Sequence, residues 1–389
     1  MADQSISWGA DRERRFLRIS ARSPVRHLDL SLMVVAAGLS VFGALAIYSS
    51  TRPRLDAAGL DQHYFIKRQL IFIAIATISF LISLIFDYRQ LRALAPILYG
   101  LGLLALVVVL SPLGHSAAGA QRWINFGVLR VQPSELSKIV LVVALAALFA
   151  DERGTAGLRK LAAAVGMAGL LAVFVYKQPD LGTVMVLFAI VFVVLLVSGI
   201  RARWLLLVLL AGAVSFVLIF QLGLLKDYQV ARLTGFLDPH SDTRQAGYNL
   251  AQSKIAIGSG GLGGKGLFTD KGTQTNLDYV PEQHTDFIFT AIAEGTGFFG
   301  STVLLALFAL LLWRALRIAM LSKDFFGTLL AAGIAGLFAF QMFVNVGMTL
   351  GIMPITGIPL PFVSYGGSSL ITSNVAVGLL MNIHMRRFT

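Results

Sequence analysis

Apolar residues in this chain run in long blocks separated by short polar stretches, without the strict alternation of a half-buried strand. Ten such blocks fall near 29–48, 69–86, 93–110, 136–150, 160–175, 181–199, 203–222, 286–312, 325–349 and 366–385. Most approach the roughly 20 residues that a helix needs to cross a bilayer, and 136–150 and 160–175 are the shortest. The pattern predicts an all-α polytopic membrane protein with about ten transmembrane helices in one bundle. No repeat, low-complexity tail or separate soluble domain interrupts it. The apolar run opening at Asp29 is long enough to span and predicts a retained helix, not a cleaved signal.

Composition agrees with that pattern. Of 389 residues, 56% are hydrophobic and 13% charged, against about 25% charged in soluble domains. The chain has no Cys, which excludes thiol chemistry, thiolate metal sites and disulfides. A formal net charge of +12 raises the question of nucleic acid. The charges sit at the ends of apolar blocks and form no basic module, so no nucleic-acid partner is expected, and anionic lipid is the simpler counterpart. Residues 1–28 carry six Arg and form a polar N-terminal tail. Placing that tail inside puts both termini (the C-terminus being 386–389) in the cytoplasm, with 18 of the 32 Lys and Arg on the inner side. Six of the remaining basic residues lie in the long outer loop 223–285, which weighs little in the positive-inside rule. The expected location is the cytoplasmic membrane, with residues 29–385 as one transmembrane domain.

The outer segments 111–135 and 223–285 far exceed ordinary connections of about 4–6 residues, so water-facing chemistry is expected there. In the first, Arg122 and Trp123 precede Arg130, and Pro133 is suited to open a helix. Glu135 and Lys138 share a face three residues apart. Lys138 falls within the apolar block, where a charge needs a partner or a cavity. It either pairs with Glu135 or joins Arg122 and Arg130 in holding an anion, for which guanidinium forks suit phosphate. Trp123 reads as an interface anchor. In the second, Asp278, Glu282 and Asp286 recur every four residues, interrupted by Pro281. Asp286 either caps the following helix or serves as a base at the membrane rim. His284 is a candidate ligand donor, and Glu294, inside the next block, must face protein or a cavity. The glycine-rich run 258–266 matches G-x-G-x-x-G but lacks the preceding strand, so it reads as a flexible or tightly turning loop. Near the C-terminus, prolines and glycines between Pro354 and Gly367 exclude a straight helix and predict a shaped segment bearing Ser364 and Tyr365. Gln178-Pro179-Asp180 is a smaller version, with Asp180 as a cap or cavity residue. No spacing indicates a structural metal site. A divalent cation, Mg²⁺ or Mn²⁺, bridging a carboxylate and a pyrophosphate is compatible with so few ligands, and no organic cofactor is expected.

The strings QRWINFG, RVQPSELSK, QPDLGT, GYNLAQSKIAIGSGGLGGKG, PEQHTDFIF and NVGMTLGIMPITGIPLPFVSYGGSSL, in this order, resemble the shape, elongation, division and sporulation family, and GIMPITGIPLPF resembles its rod-shape branch more than its division branch. The resemblance implies a ten-helix peptidoglycan glycosyltransferase that polymerises lipid II at the outer face of the cytoplasmic membrane during elongation. It also implies a class B penicillin-binding protein as transpeptidase partner, alongside other elongation-machinery membrane proteins. It puts the essential carboxylate at Asp286, a second acidic position at Asp278, and the basic motif positions at Arg130 and Lys138 around Glu135. One departure is Glu294-Gly295, where the family commonly has two glutamates. A lipid II flippase and a non-catalytic scaffold are the competing classes.

Overall fold

The computed structural model describes residues 27–388 apart from 118–119, 128, 155, 224, 227–228, 233–235, 237–245, 269–272 and 276–281. Asp278 and nearly all of the tail 1–28 lie outside the described residues. A helix runs through each apolar block: α1 Leu30–Ala57, α2 Tyr64–Ile85, α3 Gln90–Leu110, α4 Pro133–Phe149, α5 Leu158–Lys177, α6 Leu181–Val197 and α7 Ala202–Gln221. After α8 Ala246–Ser259 in the long loop come α9 Ile288–Leu321, α10 Phe325–Leu350 and α11 Gly367–Met385. Among the described residues, seven helices (α1, α2, α3, α5, α7, α9 and α10) are long and apolar enough to cross a membrane. The chain is a helical, multi-pass membrane protein.

Helix starts follow local chemistry. Pro133 occupies the first turn of α4, where no backbone N–H is missed. Asp180 caps α6 by accepting from the Thr183 N–H at 3.1 Å. Asp29 caps α1 through the Leu32 N–H and pairs with Arg314 of α9.

The bundle is organised about α10. Of its apolar stretch 78% is buried, against 6% for α7, which lies at the periphery. Gly333 and Gly336 let neighbours close on α10: a Cβ at these positions would sit 2.6 Å from Val142 of α4 and 2.8 Å from Val193 of α6. Small residues at crossings do the same work throughout membrane bundles.

The segment between α3 and α4 departs from the purely helical expectation. It folds into a small antiparallel sheet, β1 His115–Ala117, β2 Ala120–Phe126 and β3 Leu129–Val131, with Ile124 opposite Val131 and Asn125 opposite Arg130. Trp123, Ile124 and Phe126 favour extended backbone, and Gly127 turns the chain at φ 68°. At the same end of the bundle lie α8, the turn 282–287 and the proline-glycine segment 351–366. The opposite end is tied by polar contacts. Asn382 of α11 donates to the Ser83 carbonyl at the end of α2 at 2.7 Å, and the Tyr88 hydroxyl donates to Asp324.

The long α9 is kinked at Gly297, whose φ is 66°. The glycine-rich run docks into this kink. Lys265 N–H donates to the Glu294 carbonyl at 3.0 Å, Gly266 N–H to that of Gly295 at 2.9 Å, and Phe298 N–H to that of Gly261 at 2.9 Å. The run is therefore a tight, docked turn. A Cβ on Gly295 would approach the tip of the Leu267 side chain to 2.9 Å, so this glycine packs against the docked run.

Candidate active site

Asp286 sits in the turn 282–287 that leads into α9. It does not cap that helix: Phe287 occupies the cap position, without a side-chain hydrogen bond. The turn is held from below by buried polar side chains. Asn345 of α10 donates from Nδ2 to the carbonyls of both Asp286 (2.9 Å) and Ile358 (2.8 Å). Ser364 donates to the Thr285 carbonyl at 2.7 Å, and the Tyr365 N–H to that of His284 at 2.9 Å. The proline-glycine segment is thus the seat of the acidic turn, joined to it through Asn345. Gly357, at φ 72°, lies directly against the carboxylate. A Cβ there would fall 3.1 Å from Asp286 Oδ2 and 3.4 Å from Arg232 Nη1, so acid and guanidinium converge over a residue that must lack a side chain.

Burial of the Asp286 carboxyl pushes its pKa up to about 6. Glu282 and Asp180 push in the same direction by like charge, while Arg232 and Arg122 oppose them. Among the described residues its carboxylate accepts no hydrogen bond. Asp180 is differently placed, since it accepts from Gln132 (3.2 Å), Ser134 (3.4 Å) and Thr183 (2.9 Å). Glu282 and Phe362 adopt left-handed φ of 50° and 65°. Each lies on one of the segments that meet here, and such backbone strain gathers where surrounding structure over-determines a site.

A cavity of about 770 Å³ opens beside this turn, between α5, α6 and α7. Its body is apolar, with Phe188, Val191 and Phe216 in the walls. Arg122, Pro179, Arg232 and Thr356 close one end. Arg122 is aimed by the turn before α6, donating from Nε to the Gln178 carbonyl at 2.8 Å and from Nη2 to that of Pro179. Asp286 is not itself in the cavity wall; it lies next to it, across Gly357 from Arg232. An apolar cavity ending in two guanidiniums suits a lipid with an anionic head, with the carboxyl adjacent to that head.

The other sequence candidates separate into distinct roles. Lys138 and Glu135 are both buried and pair with each other at 2.7 Å. Neither lines the cavity, so the expectation of a cation presented to an anion there gives way to the internal pair that their spacing allowed. Arg130 is an exposed residue of β3 and does not line the cavity either; its carbonyl accepts from Ser368 at 3.0 Å. His284 packs its ring against Phe65 (centroids 4.7 Å apart) and Tyr365 (5.7 Å) in an aromatic cluster. Glu282 accepts from the Thr285 hydroxyl at 3.0 Å. Ser364 is structural, accepting from Leu360 N–H as it donates to Thr285. Glu294 is buried and accepts from Lys265 (2.7 Å), the Gln274 N–H (2.8 Å) and the Thr275 N–H (2.9 Å), which anchors the long loop.

Sequence reasoning missed Arg232. It lies within the long loop in no recognisable motif, and its only signal was to be one of the few basic residues there. Among the described residues no group of three His, Asp or Glu side chains is arranged to hold a metal ion. The charged neighbours of Asp286 include two arginines, so the donor set does not form a dedicated metal cage.

Comparison with known proteins gives the family. Residues 29–388 match the family model FTSW_RODA_SPOVE, described as cell cycle protein. The chain is 38% identical to the peptidoglycan glycosyltransferase MrdB of Escherichia coli K12, with 93% of this chain and 94% of that protein covered. It is also 38% identical to a probable peptidoglycan glycosyltransferase FtsW of Trichlorobacter lovleyi, covering 93% and 95%. Among solved structures, the rod shape determining protein RodA of Thermus thermophilus matches with TM-score 0.69 at 30% identity, covering 93% of this chain and 98% of that one. A chain from a peptidoglycan synthase complex that coordinates polymerization and crosslinking matches with TM-score 0.76 at 32% identity, covering 93% and 99%. The chain belongs to the FtsW/RodA/SpoVE family of membrane proteins.

Proposed function

We propose that this protein is a peptidoglycan glycosyltransferase that polymerises lipid II on the outer face of the cytoplasmic membrane, with Asp286 as general base. The observation that carries the reading is the convergence of Asp286 and Arg232 over Gly357 at the charged end of the cavity. The donor's polyprenyl tail enters between α5, α6 and α7, and its pyrophosphate meets Arg122 and Arg232. The acceptor's sugar 4-hydroxyl hydrogen-bonds to Asp286. As its oxygen attacks the anomeric carbon of the donor, the proton passes to the carboxylate. The bond from that carbon to the pyrophosphate oxygen breaks, and the α-linked donor becomes a β-1,4 product. The undecaprenyl pyrophosphate leaves as the anion, its charge met by the two guanidiniums.

A raised pKa suits this role. A carboxylate near pKa 6 is mostly ionised at neutral pH yet far more basic than an ordinary aspartate. Mg²⁺ or Mn²⁺ is assigned to the substrate, carried on the pyrophosphate, and no step is routed through it. EDTA should then slow polymerisation and added Mg²⁺ restore it; a rate indifferent to both removes the ion from the account.

The accompanying topology has ten crossings, both termini inside and the sheet end of the bundle outside. The partner is a class B penicillin-binding protein, by analogy with the synthase complex among the solved relatives. The experiment is a gel assay for glycan strands made from lipid II by the purified protein with its transpeptidase partner. Strands that disappear with Asp286→Asn support the reading. Lipid translocation without strands would make the protein a transporter.

A further inference from the structure

The cavity beside the acidic turn is deeper than the head of a lipid requires. On α5 its lining starts at Leu158, the first residue of the helix, and reaches Tyr176, the penultimate one. The 18 residues between them amount to about 27 Å of helix, against a hydrocarbon core of about 30 Å. A lipid confined to one leaflet fills about half of that core, about 15 Å. The groove therefore continues past the mid-plane, toward the end of the bundle opposite Asp286.

Its walls show how that depth is kept open. Both α5 and α7 pack on α6, which forms the floor. Gly212 of α7 lets the Phe188 ring of α6 lie against the α7 backbone, since a Cβ there would fall 2.7 Å from the ring. On α5 the groove is lined by small residues at Ala162, Gly169 and Ala172. Small residues usually let a neighbouring helix approach. At Gly169 no helix does so: a Cβ there would meet no atom within 4 Å. Gly169 lies seven residues from Tyr176, about 10 Å along the helix, and leaves the groove clear at that depth.

The chemistry is as one-sided as the shape. Every lining residue of α5 from Leu158 to Ala172 is apolar, as are Val191 of α6 and Leu207 and Val208 of α7. The far half offers nothing to a headgroup, whereas Arg122 and Arg232 stand at the near end. A matching ligand has one anionic end and one apolar chain longer than a leaflet is deep. A diacyl lipid, with two chains of a single leaflet's length, does not have that form.

We infer that the groove reads the length of the donor's tail. The polyprenyl chain passes Gly169 into the half of the groove farthest from Asp286, and Gly169 and Ala162 are specificity-determining positions for a long tail. The inference rests on the cavity being the donor site. A farnesyl tail is spent at about the depth of Gly169, whereas an undecaprenyl tail has most of its isoprene units still to place.

The test compares farnesyl with undecaprenyl pyrophosphate for retention by the full-length protein in detergent, read by native mass spectrometry. The wild type should retain the undecaprenyl compound about tenfold more tightly or better, the scale on which apolar pockets discriminate chain length. Gly169→Leu should cut that preference to about threefold or less, with Gly169→Ala between the two. Its melting temperature should hold or rise, because leucine favours helix over glycine and displaces no neighbour. Ala162→Leu narrows the groove nearer its far end and should cost less of the preference than Gly169→Leu. Gly166→Leu is the control: the same substitution on the same helix, also with no atom within 4 Å of its Cβ, at a residue that does not line the groove, and it should keep the wild-type preference. In polymerisation, kcat/KM for lipid II bearing the two tails should shift in the same ratio. A tail preference in binding without any glycan strands would sink the polymerase reading and leave the groove as a reader of polyprenyl length. Strands made equally well from both tails, with equal retention of the two pyrophosphates, would overturn the inference and leave the polymerase reading standing. A Gly169→Leu protein with the full wild-type preference would also overturn it.

Discussion

Asp286 and Glu294 are two acids on the same stretch of chain, and they have opposite surroundings. Glu294 is buried and its oxygens are met by an ammonium, a hydroxyl and two backbone N–H groups. Asp286 lies between two arginines and two other acids, and its carboxylate accepts no hydrogen bond among the described residues. A carboxylate whose lone pairs are satisfied is committed to holding structure. One that is only electrostatically balanced retains the capacity to accept a proton. The two are also connected: Thr275, which donates to Glu294, accepts from Gln283 at 2.9 Å, three residues before Asp286. The structural acid thereby helps locate the proposed base.

This contrast can be broken by substitution. Asp286→Asn should lower the polymerisation rate by about 10²–10⁴-fold, the usual worth of a general base. The stability effect has the opposite sign. The folded pKa lies above the ordinary carboxylate value, so the folded state holds the proton more tightly. Stability therefore falls as pH rises from about 4 to about 6, and the cost is fully present above that. Asn removes this cost, so the melting temperature at pH 7 should hold or rise. Glu294→Ala should do the reverse, lowering the melting temperature through a loss of about 2 kcal/mol or more and exposing the 260–275 segment to protease. Its activity loss should track unfolding. A Glu294 variant that melts normally yet makes no glycan would erase the distinction. Arg232→Gln should have a smaller effect, raising KM for lipid II about tenfold, the value of one charge-assisted contact. An unchanged KM would remove Arg232 from the site.

Much of this was legible in the sequence because it is local. Apolar blocks mark the helices, Pro133 and Asp180 mark helix starts, and the spacing of Glu135 and Lys138 marks their pair. From its neighbours alone Asp286 was legible as a choice between cap and base, and the resemblance pointed to an essential carboxylate; the cap position of Phe287 excludes the cap and leaves the base as the proposal. What remained hidden depends on contacts far apart along the chain. Arg232 meets Asp286 only because Gly357 leaves room for both. Asn345 reads as one more polar residue in an apolar helix until its amide is seen joining residues 286 and 358. Lys138 illustrates the converse. A basic residue of a conspicuous motif is spent on its neighbour, and the cavity draws its cations from elsewhere. The small sheet was hidden by scale, since three short strands inside a polar connection leave little periodic signal.

The most direct test is the pH dependence of lipid II polymerisation by the purified protein with its partner. A base in this setting should give an acid limb with its midpoint near pH 6, the rate falling about tenfold per unit below it, and Asp286→Asn should abolish the limb along with the activity. A rate that stays level down to about pH 4.5, or a limb that survives in Asp286→Asn, would contradict the account.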